Sequence, residues 1–173
     1  MRPVVSANYN QKLSEITLEK LANGVITFDD LNYILNEIGN VLVDATFTPN
    51  DQENYNIIHF KLTINVLKLD SVITASNQEI TFNNQVYKVA ANTNNQEQTL
   101  EFIYTLNGKV VPEIKEVGTY NVVIVAKESA HYNEARKEIV VTVNPKQAID
   151  PDKEIRAVYG TKLSEINFNE VEG

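Results

Sequence analysis

The sequence contains no cysteine and no tryptophan, and only two histidines among its 173 residues. Without cysteine the chain has no disulfides and no thiolate metal ligands, so its stability must come from packing and strand pairing. Basic residues are also in the minority, since 15 Lys and Arg stand against 23 Asp and Glu and give a formal net charge of −8. This balance argues against a nucleic-acid or anionic-membrane surface, because both require a basic patch that neutralises phosphates.

Other absences exclude further classes of protein. The six glycines are dispersed, so there is no nucleotide-binding glycine motif. No apolar run approaches the roughly 20 residues of a membrane-spanning helix, and Met1-Arg2-Pro3 is not followed by the apolar core of a signal peptide. No pair of carboxylate residues in the sequence indicates general acid/base catalysis. We therefore predict that the chain is not an enzyme, with no catalytic residue, no cofactor and no metal site.

A stretch of twelve residues near the N terminus recurs near the C terminus. Residues 7–18 and 157–168 are identical at seven of twelve positions without a gap, five of them consecutively as Lys-Leu-Ser-Glu-Ile. Such internal repetition marks modules in tandem. The offset of 150 residues is twice the length of a small module, so we interpret the repeat as an alternating pair followed by an orphaned start. We expect the chain to be a piece of a longer protein.

Two segments alternate apolar and polar residues with a period of two, and they do so in the same phase when counted from Gly39 and Gly118. Each is followed by a polar loop ending in Tyr-Asn and by a second alternating segment. The inward positions are Val41, Val43, Ala45, Phe47, Leu62, Ile64 and Val66 in the first case, and Tyr120, Val122, Ile124, Ala126, Ile139, Val141 and Val143 in the second. We therefore predict a shared closing hairpin and an all-β, mainly antiparallel fold.

The same patterns predict two tandem small modules, each an immunoglobulin-like sandwich or β-grasp-like. We place the first module at residues 1–68, the second, immunoglobulin-like module at 69–145, and a linker with the truncated start of a third module at 146–173. Because the linker at 66–70 is short and apolar, the two modules should pack end to end. Asp29-Asp30 and Gly39 flank a predicted short helix over 30–38, on which apolar residues recur at helical spacing. These are Leu31, Ile34, Leu35 and Ile38.

Several motifs resemble the tandem repeats of large bacterial surface proteins, of the mostly beta-grasp and bacterial immunoglobulin-like types. The motifs are Tyr159-Gly160-Thr161-Lys162-Leu163-Ser164-Glu165-Ile166, Ala45-Thr46-Phe47-Thr48-Pro49, Asn54-Tyr55-Asn56, Val117-Gly118-Thr119-Tyr120-Asn121-Val122, His131-Tyr132-Asn133 and Val141-Thr142-Val143-Asn144-Pro145. They are turn glycines and core tyrosines, so the resemblance implies a position in a stalk rather than an activity. The chain departs from the repeats in having no tryptophan after the Asn23-Gly24 turn.

The resemblance implies a structural spacer at the cell surface or in the cell wall, for instance of an adhesin, with an export signal and an anchor outside this stretch. Its partners would be neighbouring repeats of the same chain, with no nucleic acid and no membrane insertion. The alternative is a ligand-binding module that takes a host glycan or protein along an exposed strand edge or its loops. Specific, saturable binding would discriminate between the two.

Few side chains suggest chemistry. His59 lies on the outward phase of a strand and His131 in a loop, and neither has a second His or a Cys nearby in sequence. Residues 50–53 and 150–154 are acidic clusters that suit calcium, but they lack the spacing and central glycine of an EF-hand, which favours solvated loops.

Tyr55, Tyr120 and Tyr132 are alternatively a sugar-binding platform or core and corner tyrosines, and their repeated positions beside turns favour the second interpretation. A Lys–Asn isopeptide cross-link, which needs a buried lysine, is disfavoured, because every lysine except Lys88 lies on a polar phase or in a loop.

Overall fold

The computed structural model describes residues 5–148 together with positions 159, 160 and 162. These residues form an all-β structure, as the alternation predicts, whose only helical element within that part of the chain is one 3₁₀ turn at Leu13–Glu15. The strands are β1 Val5–Asn8, β2 Gly24–Phe28, β3 Gly39–Pro49, β4 Ile58–Leu67, β5 Ile73–Thr74, β6 Gln78–Thr81, β7 Asn92–Thr93, β8 Glu101–Leu106, β9 Lys109–Val111, β10 Gly118–Ala126 and β11 Ala135–Asn144. Among the same residues, no helix is long and apolar enough to cross a membrane.

Two larger sheets repeat one strand order. The N-terminal sheet has the order β1-β4-β3-β2 and the C-terminal sheet the order β6-β11-β10-β8-β9, while β5 and β7 form a separate pair. In each sheet the first strand pairs in parallel with the last, as β1 with β4 and β6 with β11, and the other ladders are antiparallel. The C-terminal sheet differs by one added edge strand, β9. We refer to residues 5–67 as the N-terminal region and to residues 73–144 as the C-terminal region.

The two closing hairpins share their register. Gly39 pairs with Val66 at one end of the β3–β4 ladder, and Gly118 pairs with Val143 at the corresponding end of β10–β11. At the other end the last pairs are Phe47 with Ile58 and Ala126 with Ala135. The alternation in the sequence therefore predicted both the strands and their equivalence.

Burial follows the predicted phase along most of the two hairpins. The buried members are Val43, Ala45, Leu62, Ile64, Val66, Tyr120, Val122, Ile124, Ala126, Ile139, Val141 and Val143. Val41 and Phe47 are half-buried against the same core. Ile58, which has the same phase as Leu62, is exposed instead and lies at the end of the ladder, opposite Phe47.

Each large sheet has its own hydrophobic core. The N-terminal core covers the sheet with Leu13 and Leu35, and the C-terminal core covers it with Ile73 and Ile114. None of the buried residues is shared between the two clusters. This arrangement agrees with two modules, and the boundaries at 68 and 145 stay a prediction.

The predicted helix over 30–38 is wrong. Residues 31 and 32 form a turn, and residues 33–35 then run antiparallel to residues 11–13, where Leu13 N–H donates to the Tyr33 carbonyl at 3.0 Å and Leu35 N–H donates to the Gln11 carbonyl at 3.0 Å. Leu35 is fully buried, whereas Leu31, Ile34 and Ile38 are 53%, 42% and 39% exposed. A helix would have buried one whole face, but hydrogen bonds to the 10–14 segment satisfy the backbone while burying a single anchor.

Asn107 and Gly108 form the tight hairpin between β8 and β9 that the dipeptide predicts. Both have positive φ, at 50° and 75°, as a type I′ turn requires. The orphaned start of the third module, residues 157–168, lies largely outside the described residues, as does the acidic cluster at 150–154.

Candidate functional site at the junction of the two regions

The two ends of each sheet differ in what they present. We call the end that carries the loop between the two closing strands the head, which is residues 50–57 in the N-terminal region and 127–134 in the C-terminal region. The opposite end, where the chain leaves the last strand, is the tail. There, Tyr9 N–H donates to the Leu67 carbonyl at 2.9 Å, and Phe82 N–H donates to the Asn144 carbonyl at 2.8 Å. Tyr9 and Phe82 therefore occupy equivalent places.

The tail of the N-terminal region meets the head of the C-terminal region. Leu69, two residues beyond β4, donates its N–H to the His131 carbonyl at 2.8 Å and accepts the Asn133 N–H at 2.8 Å. These two bonds form a parallel β-bridge between Leu69 and Tyr132. The linker is therefore held by backbone hydrogen bonds rather than only by apolar contact.

Side chains reinforce the same junction. The rings of Tyr9 and His131 stack with their centroids 3.9 Å apart and an interplanar angle of 19°. Lys68 Nζ lies 2.5 Å from Glu128 Oε1 and donates to the Ser129 carbonyl at 2.8 Å. This half-buried lysine holds the pKa of Glu128 below its usual value, through a hydrogen bond and through its charge.

Glu97 holds His131 from the other side. Its two carboxylate oxygens contact the imidazole and the backbone of His131, with Nδ1 2.6 Å from Oε1 and the backbone N 3.2 Å from Oε2. Because an ionised carboxylate only accepts, Nδ1 carries the proton. The pKa of Glu97 is lowered, chiefly by the hydrogen bond from His131 and next by that from Ser129. The imidazole is thus fixed between a carboxylate and the tyrosine ring.

A buried amide connects the segments that surround this contact. Asn95 is fully buried, and its Nδ2 donates to Ser71 Oγ at 3.3 Å and to the Lys127 carbonyl at 3.2 Å. Its Oδ1 accepts the Glu97 N–H at 3.1 Å. Because a buried amide is costly unless its hydrogen bonds are made, these bonds fix the linker, the loop before β8 and the head loop relative to one another.

His131 was assigned no role on the sequence alone. Its partners Tyr9 and Glu97 lie far from it along the chain, so no local pattern could indicate them. The one sequence signal for this contact was the Tyr-Asn dipeptide shared by the two loops. In the C-terminal head it lies in the segment that forms hydrogen bonds with the linker.

His59 belongs to a different polar chain. Its Nδ1 is 2.8 Å from Thr46 Oγ1, which in turn is 2.6 Å from Asp29 Oδ1, on the exposed face of the N-terminal sheet. The carboxylate contacts the threonine and not the imidazole, so nothing orients the histidine as a general base toward the hydroxyl. We interpret the three groups as cross-strand hydrogen bonding.

The tyrosines do not share a surface. Tyr120 is buried, and its hydroxyl donates to the Glu116 carbonyl at 2.8 Å, which is the corner role that the sequence favoured. Tyr132 lies at the junction, and Tyr55 is 65% exposed at the head of the N-terminal region. A platform made of all three is therefore excluded.

The remaining candidates are surface groups. Asp51 accepts the N–H of Asn54 at 3.1 Å and its Nδ2 at 2.9 Å, and these bonds lower the pKa of Asp51. Among the described residues no group of three or more His, Cys, Asp or Glu is placed to hold a metal ion. Lys88, the lysine that the pattern left open for a cross-link, is exposed.

The chain was compared with known proteins. No protein-family model matches it, and no curated protein is significantly similar to it.

Proposed function

We propose that this chain is a pair of structural spacer modules from a bacterial cell-surface protein, of the kind that holds an adhesive domain away from the cell wall. Its location would be extracellular, at the cell surface or in the cell wall. The proposal is supported by the sequence repeat, by the shared strand order of the two regions and by the hydrogen-bonded junction between them.

One observation carries the proposal. In each sheet the first and last strands lie side by side and run in the same direction, with Val5 opposite Ile64 and Asn8 opposite Leu67 in the N-terminal region. In the C-terminal region Gln78 lies opposite Val141 and Thr81 opposite Asn144. Both terminal strands therefore run toward the tail, where the next region begins.

Parallel terminal strands also suit a chain under tension. Pulling the start of β1 and the end of β4 apart acts along the strands, so the hydrogen bonds of this ladder are loaded together. An antiparallel pair pulled at adjacent ends would instead open one rung at a time. The same argument applies to β6 and β11. A spacer needs this resistance, and a single ligand site does not.

Single-molecule force spectroscopy tests the idea directly, and the absence of cysteine allows two handles to be placed freely. One variant carries cysteines at the N terminus and at Leu67, which loads β1 against β4. The matched variant carries Ile38→Cys and Leu67→Cys, which opens the β3–β4 hairpin from its Gly39 end. We expect the first geometry to require a several-fold higher unfolding force. Equal forces would remove the mechanical argument.

A second candidate function is ligand binding at the head of the N-terminal region. A groove of about 790 Å³ lies there, with Phe47, Pro49, Tyr55 and Ile58 among its lining residues. A glycan and matrix-protein array would test it, with Tyr55→Ser as the control. Saturable binding that this variant loses would replace the spacer proposal.

A further inference from the structure

The head of the N-terminal region repeats the features by which the C-terminal head holds its linker. Tyr55 precedes the first ladder residue, Ile58, by three positions, as Tyr132 precedes Ala135. Asn54 and Asn56 therefore correspond to His131 and Asn133, whose backbone groups form hydrogen bonds with Leu69. Among the described residues, the Asn54 carbonyl and the Asn56 N–H have no hydrogen-bond partner.

The tail of the C-terminal region repeats the features that are held. Phe82 stands where Tyr9 stands, and Asn144 where Leu67 stands, on the evidence of the matching backbone bonds. Lys146, two residues beyond β11, then corresponds to Leu69. Lys146 is exposed, as are the neighbouring residues 144–148.

Charge and apolar surface match as well. The C-terminal head places Glu128 four residues before Tyr132, and the N-terminal head places Asp51 four residues before Tyr55. In the observed junction the tail supplies Lys68 to the acid, whereas the C-terminal tail has Pro145 at the equivalent position and carries Lys146 one residue later. The N-terminal head also exposes Tyr55, Ile57 and Ile58, at 65%, 47% and 55%.

We propose that the head of the N-terminal region is a docking surface for the tail of the C-terminal region of a second copy of this chain. Lys146 of one copy would bridge to Tyr55 of the next, as Leu69 bridges to Tyr132 within the chain. The contact joins two different surfaces, so each copy can contact two others, and copies extend head to tail unless the rotation between them closes a ring. This inference rests on the geometry of the junction and not on the resistance to force. Failure of either proposal would therefore leave the other unaffected.

Disulfide trapping tests the register. In the Tyr55→Cys, Lys146→Cys variant, mild oxidation of the full chain is expected to give a ladder of dimers, trimers and higher multimers. Leu69→Cys, Tyr132→Cys is the positive control and closes within one chain, because those Cα atoms are already paired. Val110→Cys, Lys146→Cys is the negative control, since Val110 is exposed on the edge strand β9. A ladder no stronger than that of the negative control would overturn the proposal.

A charge exchange tests the same contact without cysteines. Glu53 is exposed in the head, and it is preferred to Asp51 because Asp51 holds the loop through Asn54. Sedimentation velocity of the full chain should show self-association that falls several-fold in Glu53→Lys and in Lys146→Glu. In a mixture of the two variants, the new lysine of one meets the new glutamate of the other at one contact, and the original Glu53 meets the original Lys146 at the other. Copies of the two variants should therefore alternate head to tail and recover association beyond dimers, and unchanged association in either single variant would contradict the charge pairing.

Discussion

The N-terminal and C-terminal regions share a hydrogen-bonded ladder and differ in what covers its inner face. In both, alternating residues bury one face of the closing hairpin, and a parallel first strand lies beside the last. The N-terminal cover is a 3₁₀ turn with an extended segment, which inserts Leu13 and Leu35. The C-terminal cover inserts Ile73 and Ile114 and includes the β5–β7 pair. The ladder thus accepts different covers, provided that each supplies apolar anchors.

The comparison extends to the second strand of each sheet. Phe28 lies opposite Ala45, and Phe102 lies opposite Ile124 at the equivalent rung. At this rung a large residue faces a small one in the first region and a larger one in the second, so the two covers pack against surfaces of different shape.

The largest expected effect tests whether the regions unfold separately. Leu62→Ala and Ile139→Ala remove equivalent buried side chains, and each should lower the free energy of unfolding by about 2–5 kcal/mol. If the regions are independent modules, each variant shifts only the transition of its own region in urea unfolding followed by residue-resolved NMR. A single transition that shifts in both variants would show instead that the junction couples the two regions into one cooperative unit.

A smaller effect on the free energy of unfolding is expected at Gly39 and Gly118, the glycines that begin the β3–β4 and β10–β11 ladders. Gly39 has a φ of 102° with open space around it, so Gly39→Ala should cost about 1–3 kcal/mol through backbone strain. At Gly118 an added Cβ would lie 2.8 Å from Leu106 Cδ1, so crowding adds to the cost. Leu106→Ala should therefore relieve part of the cost of Gly118→Ala and none of that of Gly39→Ala. Double-mutant cycles in urea would measure this coupling, and equal coupling at both glycines would contradict it.

The smallest effect concerns the pH dependence of the junction. Because the hydrogen bond from His131 lowers the pKa of Glu97 in the folded state, the ionised carboxylate stabilises the junction above the ordinary value near 4.5. That contribution is lost as the pH falls from 4.5 through the lowered folded pKa. The stacked Tyr9 and His131 rings give a reporter, since their ring-current NMR shifts should move toward free values in this range.

Glu97→Gln provides the matched control for the pH experiment. Its amide can still accept from His131 but does not titrate, so the Tyr9 and His131 signals should lose this acid transition. If the transition persists unchanged in Glu97→Gln, a different group controls the junction, and Glu128 beside Lys68 is the next to replace.

The strands could be predicted from the sequence and the covers could not. The period-two pattern around Val43 and Val122 predicted the hairpins, because each alternating residue faces one core. The helix at 30–38 failed because apolar spacing cannot report the hydrogen bonds that residues 31–35 make to residues 10–14. The junction was predicted only as a short linker, since the partners of His131 are 34 and more residues away along the chain.

The parallel pairing of the first and last strands also sets how much length each region stores. A ten-residue strand such as β4 spans about 33 Å when folded. The roughly 75 residues of one unit would extend to about 250 Å when pulled straight. Opening a single region would thus lengthen the chain by about 200 Å while its neighbour stayed folded. If the two regions unfold separately, the chain would lengthen under load by one region at a time and recover its length when that region refolds.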